Sequence, residues 1–304
     1  MIKLCISGLG RAGKQIAEYL WGREDVKLIS TCCSTGSKKL GKDLGEIINC
    51  RDTGIIVGTP EGIIRQQGRN FPDVVIDFST PAAAIKNAEI FSKGKINIVM
   101  GTTGFTPQEE QQLFSIVNKY NNGLIYAPNI TKGVNVLMFL SEMASRLLNN
   151  YDVEIIEMHH KHKKDNPSGT AHKIRQVINN SDSGPENISI SSVRAGGIVG
   201  LHKVIIAGEN DKLEISHESF SRKAFAEGAL HAAQFIHKKT GIYKMQDMFN
   251  FGDVLKGYFS EKQKQEQQEQ QEQKQMRGRV CKKADDLMVR NIIHLKKDLE
   301  DTCV

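Results

Sequence analysis

The sequence predicts an α/β protein in which an N-terminal doubly wound parallel sheet precedes a smaller α+β domain with a mixed sheet. Apolar strand patterns alternate with amphipathic helix patterns over the first 130 residues, as in proteins with parallel sheets. From residue 188 onwards, short strand patterns follow one another without helices between them. The 304 residues suffice for two cores, and a hydrophobic content of 39% can fill both.

The first strand pattern, residues 2–7, leads directly into the run Gly8 to Gly13, Gly-Leu-Gly-Arg-Ala-Gly. Ile16, Ala17 and Leu20 then mark the buried face of a helix. Glycines at these spacings permit a tight turn, close approach of a pyrophosphate and close helix–strand packing, with the helix N-terminus facing the phosphates. The run therefore indicates a Rossmann-type dinucleotide-binding domain.

The second strand pattern, Val26 to Thr31, precedes the position where NAD-binding domains usually carry an acidic residue. Here the chain reads Cys-Cys-Ser-Thr, with Ser34 at the expected contact and Lys38 and Lys39 just beyond. Without a carboxylate to accept from the ribose 2′-hydroxyl, a 2′-phosphate is tolerated or attracted, so the sequence favours NADPH over NADH. A solvated loop explains Lys38 and Lys39 equally well.

Three further strand patterns, 73–78, 96–100 and 124–126, each end in a turn of small or polar residues. Ligands of a doubly wound sheet lie at the carboxyl ends of its strands, so the nicotinamide end of a dinucleotide is expected beside these turns. The turns are Ser79-Thr80-Pro81, Gly101-Thr102-Thr103-Gly104 and Ala127-Pro128-Asn129.

The stretch from Glu157 to Thr170, Glu-Met-His-His-Lys-His-Lys-Lys-Asp-Asn-Pro-Ser-Gly-Thr, is the predicted active site. It joins a strand pattern at 153–156 to a helix start, so its side chains lie at a strand end and a helix N-terminus. A histidine beside lysines suits proton donation near neutral pH. Free N–H groups at Ser168, Gly169 and Thr170 are expected to bind a carboxylate or phosphate.

A metal site is the alternative for this stretch, because His159, His160 and His162 lie close in sequence and imidazole binds zinc. In an extended segment His160 and His162 share one face and His159 the other, so the rings do not converge. We therefore predict no metal. A basic, solvated turn capped by Ser168 is the purely structural alternative.

Composition and charge favour a cytosolic protein that binds small anions. The net charge of +6 is spread along the chain and not gathered into a basic face with aromatic residues, which disfavours nucleic acid. Six cysteines without a Cys-x-x-Cys pair, with Cys5 in a buried strand pattern, indicate reduced thiols. Neither a cationic leader nor a run of about 18 apolar residues occurs, so secretion and membrane insertion are not expected.

The second domain and the tail are predicted from the remaining patterns. A junction helix at Val136–Leu148, strands at 188–194, 204–207 and 213–217, and an alanine-rich helix at Ser221–Lys238 build the second domain. Glu261 to Gln275 is almost entirely Gln, Glu and Lys, at best a solvated helix. An amphipathic stripe follows as either a tethered appendage or a partner-binding helix, and consists of Ala284, Met288, Ile292, Leu295 and Leu299.

A set of motifs spread over roughly residues 1–251 carries a family resemblance. Beyond the turns and the active-site stretch already quoted, it includes Asp77-Phe78, Gly133-Val134-Asn135, Ala171, Arg194-Ala-Gly-x-x-Val-Gly200-x-His202, Gly228-Ala229 and Gly241-Ile-Tyr-Lys-Met-Gln-Asp247. The set resembles the 4-hydroxy-tetrahydrodipicolinate reductase (dihydrodipicolinate reductase) family of lysine and diaminopimelate biosynthesis. Cys33-Ser34, where family members place an acidic-basic pair, and a short loop before Arg194 depart from the family pattern.

The resemblance implies hydride transfer from NADPH or NADH to C4 of a cyclic dicarboxylate imine, in a homotetramer assembled through the second domain. It assigns proton transfer to His159 and Lys163, and substrate contacts to His160, Gly169 and Thr170. Together with Ser34, it implies these cofactor contacts: Gly8, Leu9, Gly10, Arg11, Ala12, Gly13, Gly101, Thr102, Thr103, Ala127, Pro128, Asn129 and Ile130.

The expected domains are a dinucleotide-binding domain (1–130), a substrate-binding and tetramerisation domain (131–240), a return segment to the first domain (241–256) and the tail (257–304). Two alternative functions remain open. One is a different two-domain NAD(P)-dependent dehydrogenase acting on a small carboxylate. The other is a non-catalytic nucleotide-sensing module, which the presence of His159 and Lys163 disfavours.

Overall fold

A computed structural model of the chain describes residues 1–66, 71–179, 187–273 and 276. Within these residues the strands are β1 (Ile2–Ser7), β2 (Val26–Cys32), β3 (Val74–Asp77), β4 (Asn97–Met100), β5 (Gly123–Tyr126), β6 (Asp152–His159), β7 (Ser189–Arg194), β8 (Leu201–Ala207), β9 (Lys212–Glu218) and β10 (Gly241–Lys244). The helices are α1 (Arg11–Leu20), α2 (Leu44–Ile48), α3 (Pro60–Arg65), α4 (Pro81–Lys93), α5 (Pro107–Lys119), α6 (Lys132–Leu147), α7 (Gly169–Asn179) and α8 (Lys223–Ile236). Helix α6, expected from Val136, begins at Lys132.

The strands of the first sheet lie in the order β10-β5-β4-β3-β1-β2 and are all parallel. Successive residues of each strand point to opposite faces, and both faces are buried. In β1, Leu4 and Ile6 join the core shared with α1 and α8, whereas Cys5 joins the core shared with α3, α4 and α5. This is the doubly wound parallel sheet that the sequence predicts.

The second sheet has the order β7-β6-β8-β9 and is mixed. Strand β6 is parallel to β7 and antiparallel to β8, and β8 is antiparallel to β9. Helices α6 and α7 cover one face, where Leu137, Ile155 and Ile174 share a buried core. The mixed sheet confirms the α+β fold predicted for this part of the chain.

Helix α8 packs on the first sheet, although the sequence pattern assigns it to a second domain at 131–240. Ala226, Ala229 and Ala233 are buried in the core that contains β1 and α1. At Gly228 an added Cβ would lie 1.8 Å from the carbonyl oxygen of Ile130, so the helix backbone touches the loop after β5. The alanine-rich pattern predicts burial but carries no information on which core receives the helix. Strand β10 then pairs with β5, as a segment returning to the first sheet must.

A second compact unit begins at Phe249, earlier than the boundary at 257 that composition predicts. Residues 251–273 are helical, and residues 261–273 are all exposed, as expected for a solvated Gln- and Glu-rich helix. The stripe from Ala284 to Leu299 lies outside the described residues. Among the helices described, none is long and apolar enough to cross a membrane.

Candidate active site

The turn from Gly8 to Gly13 is shaped by close backbone packing. Gly8 has a φ of +85°, and an added Cβ there would lie 2.6 Å from the carbonyl oxygen of Phe78. An added Cβ at Gly13 would lie 1.8 Å from the carbonyl oxygen of Gly8. Gly10 instead has open space at its Cβ position and precedes α1 without a side-chain cap. The space and the uncapped N–H groups at Gly10 fit the pyrophosphate of a dinucleotide.

The other residues expected at the dinucleotide site differ in what they can offer a ligand. Leu9, Ala127 and Ile130 have buried side chains, so their backbone is the part available. The hydroxyl of Thr102 donates to Oδ1 of Asp77 at 3.1 Å, so the backbone of Thr102 is likewise the part available to a ligand. Exposed positions at the ends of the strands are Gly10, Arg11, Ser34, Thr103 and Pro128.

Buried Asp77 ties the turns after β3 and β4 together. Its Oδ1 accepts from the N–H of Ser79 at 2.9 Å, from the hydroxyl of Ser79 at 2.6 Å and from Thr102. Its Oδ2 accepts from the side-chain amide of Asn87 at 2.9 Å. A buried carboxylate whose oxygens are hydrogen-bonded rigidifies its surroundings, so both turns are held in place at the dinucleotide edge.

Lys39 lies beside the glycine turn. Its ammonium donates to the carbonyl oxygen of Leu9, and its own N–H donates to the hydroxyl of Ser37 at 3.3 Å. Lys38 is exposed. The solvated-loop interpretation therefore describes Lys38, whereas the charge of Lys39 is placed next to the glycine turn.

Strand β6 brings Glu157 and His159 onto one face, because they are two residues apart. Relative exposure is 0% for Glu157 and 8% for His159. Nδ1 of His159 is hydrogen-bonded to Oε2 of Glu157. Burial raises the pKa of the Glu157 carboxyl, but hydrogen bonds from Arg194 and His159 outweigh burial and lower that pKa to about 2. Glu157 is therefore ionised although it is fully buried.

Arg194 holds Glu157 from the neighbouring strand, where the register places it beside His159. Its Nη1 and Nη2 donate to the two carboxylate oxygens of Glu157 at 2.9 and 2.6 Å. Nη2 also donates to the carbonyl oxygen of Asp165 at 2.6 Å, and the N–H of Ser168 donates to Oε1 of Glu157 at 3.1 Å. This ion pair therefore joins β6, β7 and the loop that precedes α7.

The imidazole of His159 is held in its neutral form. Burial lowers its pKa, Glu157 opposes that effect, and the nearby ammonium of Lys163 lowers the pKa further. Its Nε2 lies beside Gly200, where an added Cβ would be 3.2 Å away. The ring of His202 lies edge-on at a centroid distance of 5.2 Å, and burial lowers the pKa of His202 to about 3.

The loop after β6 carries Lys163 and leads into α7. The Lys163 ammonium lies 2.8 Å from Oδ1 of Asp165, whose Oδ2 accepts from the N–H of Gly169 at 3.3 Å. The N–H of Gly169 is thus occupied, and the N–H of Ser168 points inward to Glu157, which corrects the prediction that both are free for a ligand. A buried carboxylate needs donors, and Glu157 takes this one. The hydroxyl of Ser168 instead caps α7, accepting from the N–H of Ala171 at 3.1 Å.

The remaining expected substrate contacts flank this loop. Thr170 is half-buried, and its hydroxyl oxygen accepts from the side chain of Asn129 at 2.8 Å. His160 is half-buried, and its Nδ1 has no hydrogen-bond partner in the part of the chain that the structure describes. His162 is exposed, with its ring centroid 6.4 Å from that of His160. Over the described residues, no three His, Cys, Asp or Glu side chains are grouped for a metal ion.

Sequence patterns alone give no role to Glu157 or Arg194. The spacing of Glu157 and His159 within a strand pattern is a usable signal, because residues i and i+2 share a face. Arg194 carries no such signal, since its place beside His159 depends on the pairing of β6 with β7.

Comparisons with known proteins agree with this architecture. Residues 2–130 match the family described as dihydrodipicolinate reductase, N-terminus, and residues 133–249 match dihydrodipicolinate reductase, C-terminus. The chain is 35% identical to a 4-hydroxy-tetrahydrodipicolinate reductase of Methanococcus aeolicus, over 83% of this chain and 100% of that one. It is 33% identical to one from Methanocaldococcus jannaschii, over 84% and 99%.

A solved structure shows the same fold. Dipicolinate-bound dihydrodipicolinate reductase from Paenisporosarcina sp. TG-14 superposes with a TM-score of 0.65 and 27% identity, over 80% of this chain and 97% of that chain. An amine dehydrogenase from Mycobacterium smegmatis, at 12% identity and a TM-score of 0.61, shares the fold alone. Matched over both sheets by sequence and by structure, the chain belongs to the dihydrodipicolinate reductase family.

Proposed function

We propose that this protein is a 4-hydroxy-tetrahydrodipicolinate reductase of lysine and diaminopimelate biosynthesis. In the net reaction a hydride adds at C4 of the cyclic imine, one proton is taken up, and the 4-hydroxyl leaves as water to give tetrahydrodipicolinate. The reduced nicotinamide of NADPH or NADH supplies the hydride when bound. The protein must then bind two carboxylates, orient the ring and move protons.

The observation that carries the proposal is the place of His159 at the end of β6, with the ammonium of Lys163 in the loop directly after it. Neutral imidazole accepts a proton at Nε2, and an ammonium donates one, so the pair supplies both directions of transfer. The ammonium of Lys163 also offsets substrate carboxylate charge once it exchanges Asp165 for the ligand. His160, whose Nδ1 has no partner among the described residues, the hydroxyl of Thr170 and, once Asp165 is displaced, the N–H of Gly169 complete the substrate contacts.

The dinucleotide lies along the turns at the carboxyl ends of β1, β2, β4 and β5. Gly8 to Gly13 bind the pyrophosphate, and Ala127 to Ile130 border the nicotinamide. We favour NADPH over NADH, because no acidic side chain follows β2, Ser34 is exposed, and the ammonium of Lys39 lies at the glycine turn.

We expect a homotetramer in the cytoplasm. The face of the second sheet opposite α6 and α7 presents the apolar side chains of Ile156, Met158, Val193 and Ile205, and Val193 is 39% exposed. The described cysteines are free thiols, which suits a reducing compartment. Light scattering on the purified chain measures the subunit number.

The decisive assay mixes purified protein with substrate generated from aspartate semialdehyde and pyruvate and follows the oxidation of NADPH and of NADH in parallel. Cofactor oxidation must require both aspartate semialdehyde and pyruvate. The ratio of kcat/KM for NADPH to kcat/KM for NADH gives the cofactor preference. Cofactor binding without any turnover would refute the enzymatic function and favour a nucleotide-sensing module.

A further inference from the structure

We infer that Glu157 is a positioning residue for His159: it fixes the imidazole proton on Nδ1 and leaves the Nε2 lone pair facing the substrate, while Arg194 holds Glu157 in place. The inference rests on the proposed function, since it assigns a role within the same site. It concerns side chains that the comparisons leave without a role.

The tautomer follows from the charges. The Glu157 carboxylate is ionised, so it can only accept hydrogen bonds. A neutral imidazole carries one proton, and the contact between Nδ1 and Glu157 requires that this proton is on Nδ1. Nε2 is then the unprotonated nitrogen, which is the form that accepts a proton from substrate.

The orientation of the carboxylate is imposed from three sides. Both Nη atoms of Arg194 and the N–H of Ser168 bind its oxygens, and Glu157 has no exposed surface. The Nε of Arg194 is buried and has no hydrogen-bond partner among the described residues. The guanidinium of Arg194 already balances the charge of the Glu157 carboxylate, so charge balance alone does not require a hydrogen bond to His159. The additional bond to Nδ1 points to a role for the carboxylate in setting the imidazole.

The other ring nitrogen, Nε2, lies beside a glycine. Gly200 lies next to Nε2, and its missing side chain leaves space where a Cβ would stand 3.2 Å away. The titratable and charged groups that face His159 are Glu157 on its own strand, Arg194 on β7, His202 on β8 and Lys163 in the following loop. Of these groups, Glu157 is the one that raises the pKa of His159, so removing its charge should lower that pKa.

The test compares Glu157→Gln with Glu154→Gln, a control on the same strand whose carboxylate instead accepts from the hydroxyl of Ser191 at 2.7 Å. We expect Glu157→Gln to lower kcat about 10- to 100-fold, the loss seen when the carboxylate partner of a metal-binding histidine is removed, with cofactor affinity unchanged. The acid limb of the kcat/KM profile should move to lower pH, because the charge that favours imidazolium is gone. Glu154→Gln should match the wild type in both. An unmoved acid limb in a folded Glu157→Gln protein would overturn the inference.

A readout without turnover separates this inference from the proposed function. Nitrogen NMR of histidine-labelled protein reports the tautomer of each ring, and His159→Gln identifies the His159 signal. The expected result is an Nδ1–H tautomer that is lost in Glu157→Gln. An Nε2–H tautomer in the wild type would refute the positioning role even in an active reductase, and an Nδ1–H tautomer in an inactive protein would refute the proposed function alone.

If Glu157→Gln does not fold, Glu157→Asp makes the same test. It retains the charge beside Arg194 but withdraws the carboxylate by one methylene, so the acid limb should stay near its wild-type pH while kcat falls and the Nδ1–H preference weakens. Wild-type kcat together with a wild-type tautomer in Glu157→Asp would overturn the inference.

Discussion

The side-chain amide of Asn129 donates a hydrogen bond to the hydroxyl oxygen of Thr170 at 2.8 Å. Asn129 belongs to the loop after β5, and its own Oδ1 accepts from the hydroxyl of Thr131 at 2.8 Å. Thr170 belongs to the first turn of α7. The loop expected to border the nicotinamide and the helix expected to bind the substrate are thus one hydrogen-bonded unit, so each ligand should favour binding of the other.

The first prediction is that Thr170→Val weakens this coupling. Valine has the same shape but no hydroxyl, so the bond to Asn129 and one substrate donor are lost together. Allosteric couplings are typically on the order of 5- to 150-fold, and the factor by which NADPH tightens binding of a small cyclic dicarboxylate should fall towards one. Calorimetric titration with and without NADPH measures it. Thr170→Ser, which keeps the hydroxyl, is the control, and equal coupling in Thr170→Val and the wild type would exclude this route.

The second prediction is that His159→Gln lowers turnover while cofactor binding persists. A positioned acid or base contributes roughly 10²- to 10⁴-fold, and kcat should fall within that range. Because His159 lies in the second sheet, whereas the turn at Gly8 to Gly13 follows β1 of the first, the dissociation constant for NADPH should stay within about twofold. Stopped-flow turnover and fluorescence titration give the two numbers. Near-normal kcat in a folded variant would remove His159 from the chemistry.

The third prediction is that Lys163→Ala raises the substrate KM and lowers kcat, with a combined loss at least as large as that of His159→Gln. The proposed function assigns the ammonium the roles of proton donor and counter-charge, and the variant also removes the cation that lies beside Asp165. Lys164→Ala, at the exposed neighbouring position, is the matched control and should be near wild type. If Lys163→Ala changed cofactor affinity alone, the lysine would belong to the dinucleotide site.

The fourth prediction concerns stability in acid. The pKa of His202 is about 3 in the folded state against 6.5 when unperturbed, so between these values the unfolded chain binds a proton that the folded chain does not. Stability should therefore fall as pH falls from about 6.5, by up to about 1.4 kcal/mol per pH unit. Glu157, at about 2 against 4.5, adds to the loss below 4.5. Urea unfolding at several pH values tests this, and His202→Gln should flatten the dependence above pH 4.5; an identical slope would contradict it.

The fifth prediction is that a chain ending at Met248 folds and keeps its turnover per subunit. Both sheets and each expected site residue precede that point, and the second unit begins at Phe249. A chain ending at Gly257, the boundary that composition suggests, would end inside the helical residues 251–273 and serves as the comparison. Thermal unfolding, kinetics and light scattering on the same samples separate the outcomes. Loss of cooperative unfolding together with activity would make the tail part of the fold.

Local patterns account for what the sequence predicts well. The alternation in β1, the glycines of the following turn and the helix face of α1 all lie within the first 20 residues, so short-range sterics and periodicity determine them. The Glu-x-His spacing likewise predicts a shared face. Other contacts join residues far apart in sequence. They are the ion pair of Arg194 with Glu157, the hydrogen bond from Asn129 to Thr170 and the packing of α8 on the first sheet. Such contacts depend on register and on which apolar face finds which core, and one sequence does not encode those choices in any local signal.

The position of α8 and β10 in the first sheet has a consequence for synthesis on the ribosome. Helix α8 covers apolar residues of β3, β4 and β5, among them Ile76, Val99 and Ile125. Residues 223–244 leave the ribosome only after the whole second sheet has been made, so a nascent chain carries an open, water-exposed sheet face throughout that interval. The first 130 residues therefore cannot complete their core while the rest of the chain is still being made. Until α8 and β10 emerge, the nascent chain exposes the kind of apolar surface that promotes aggregation.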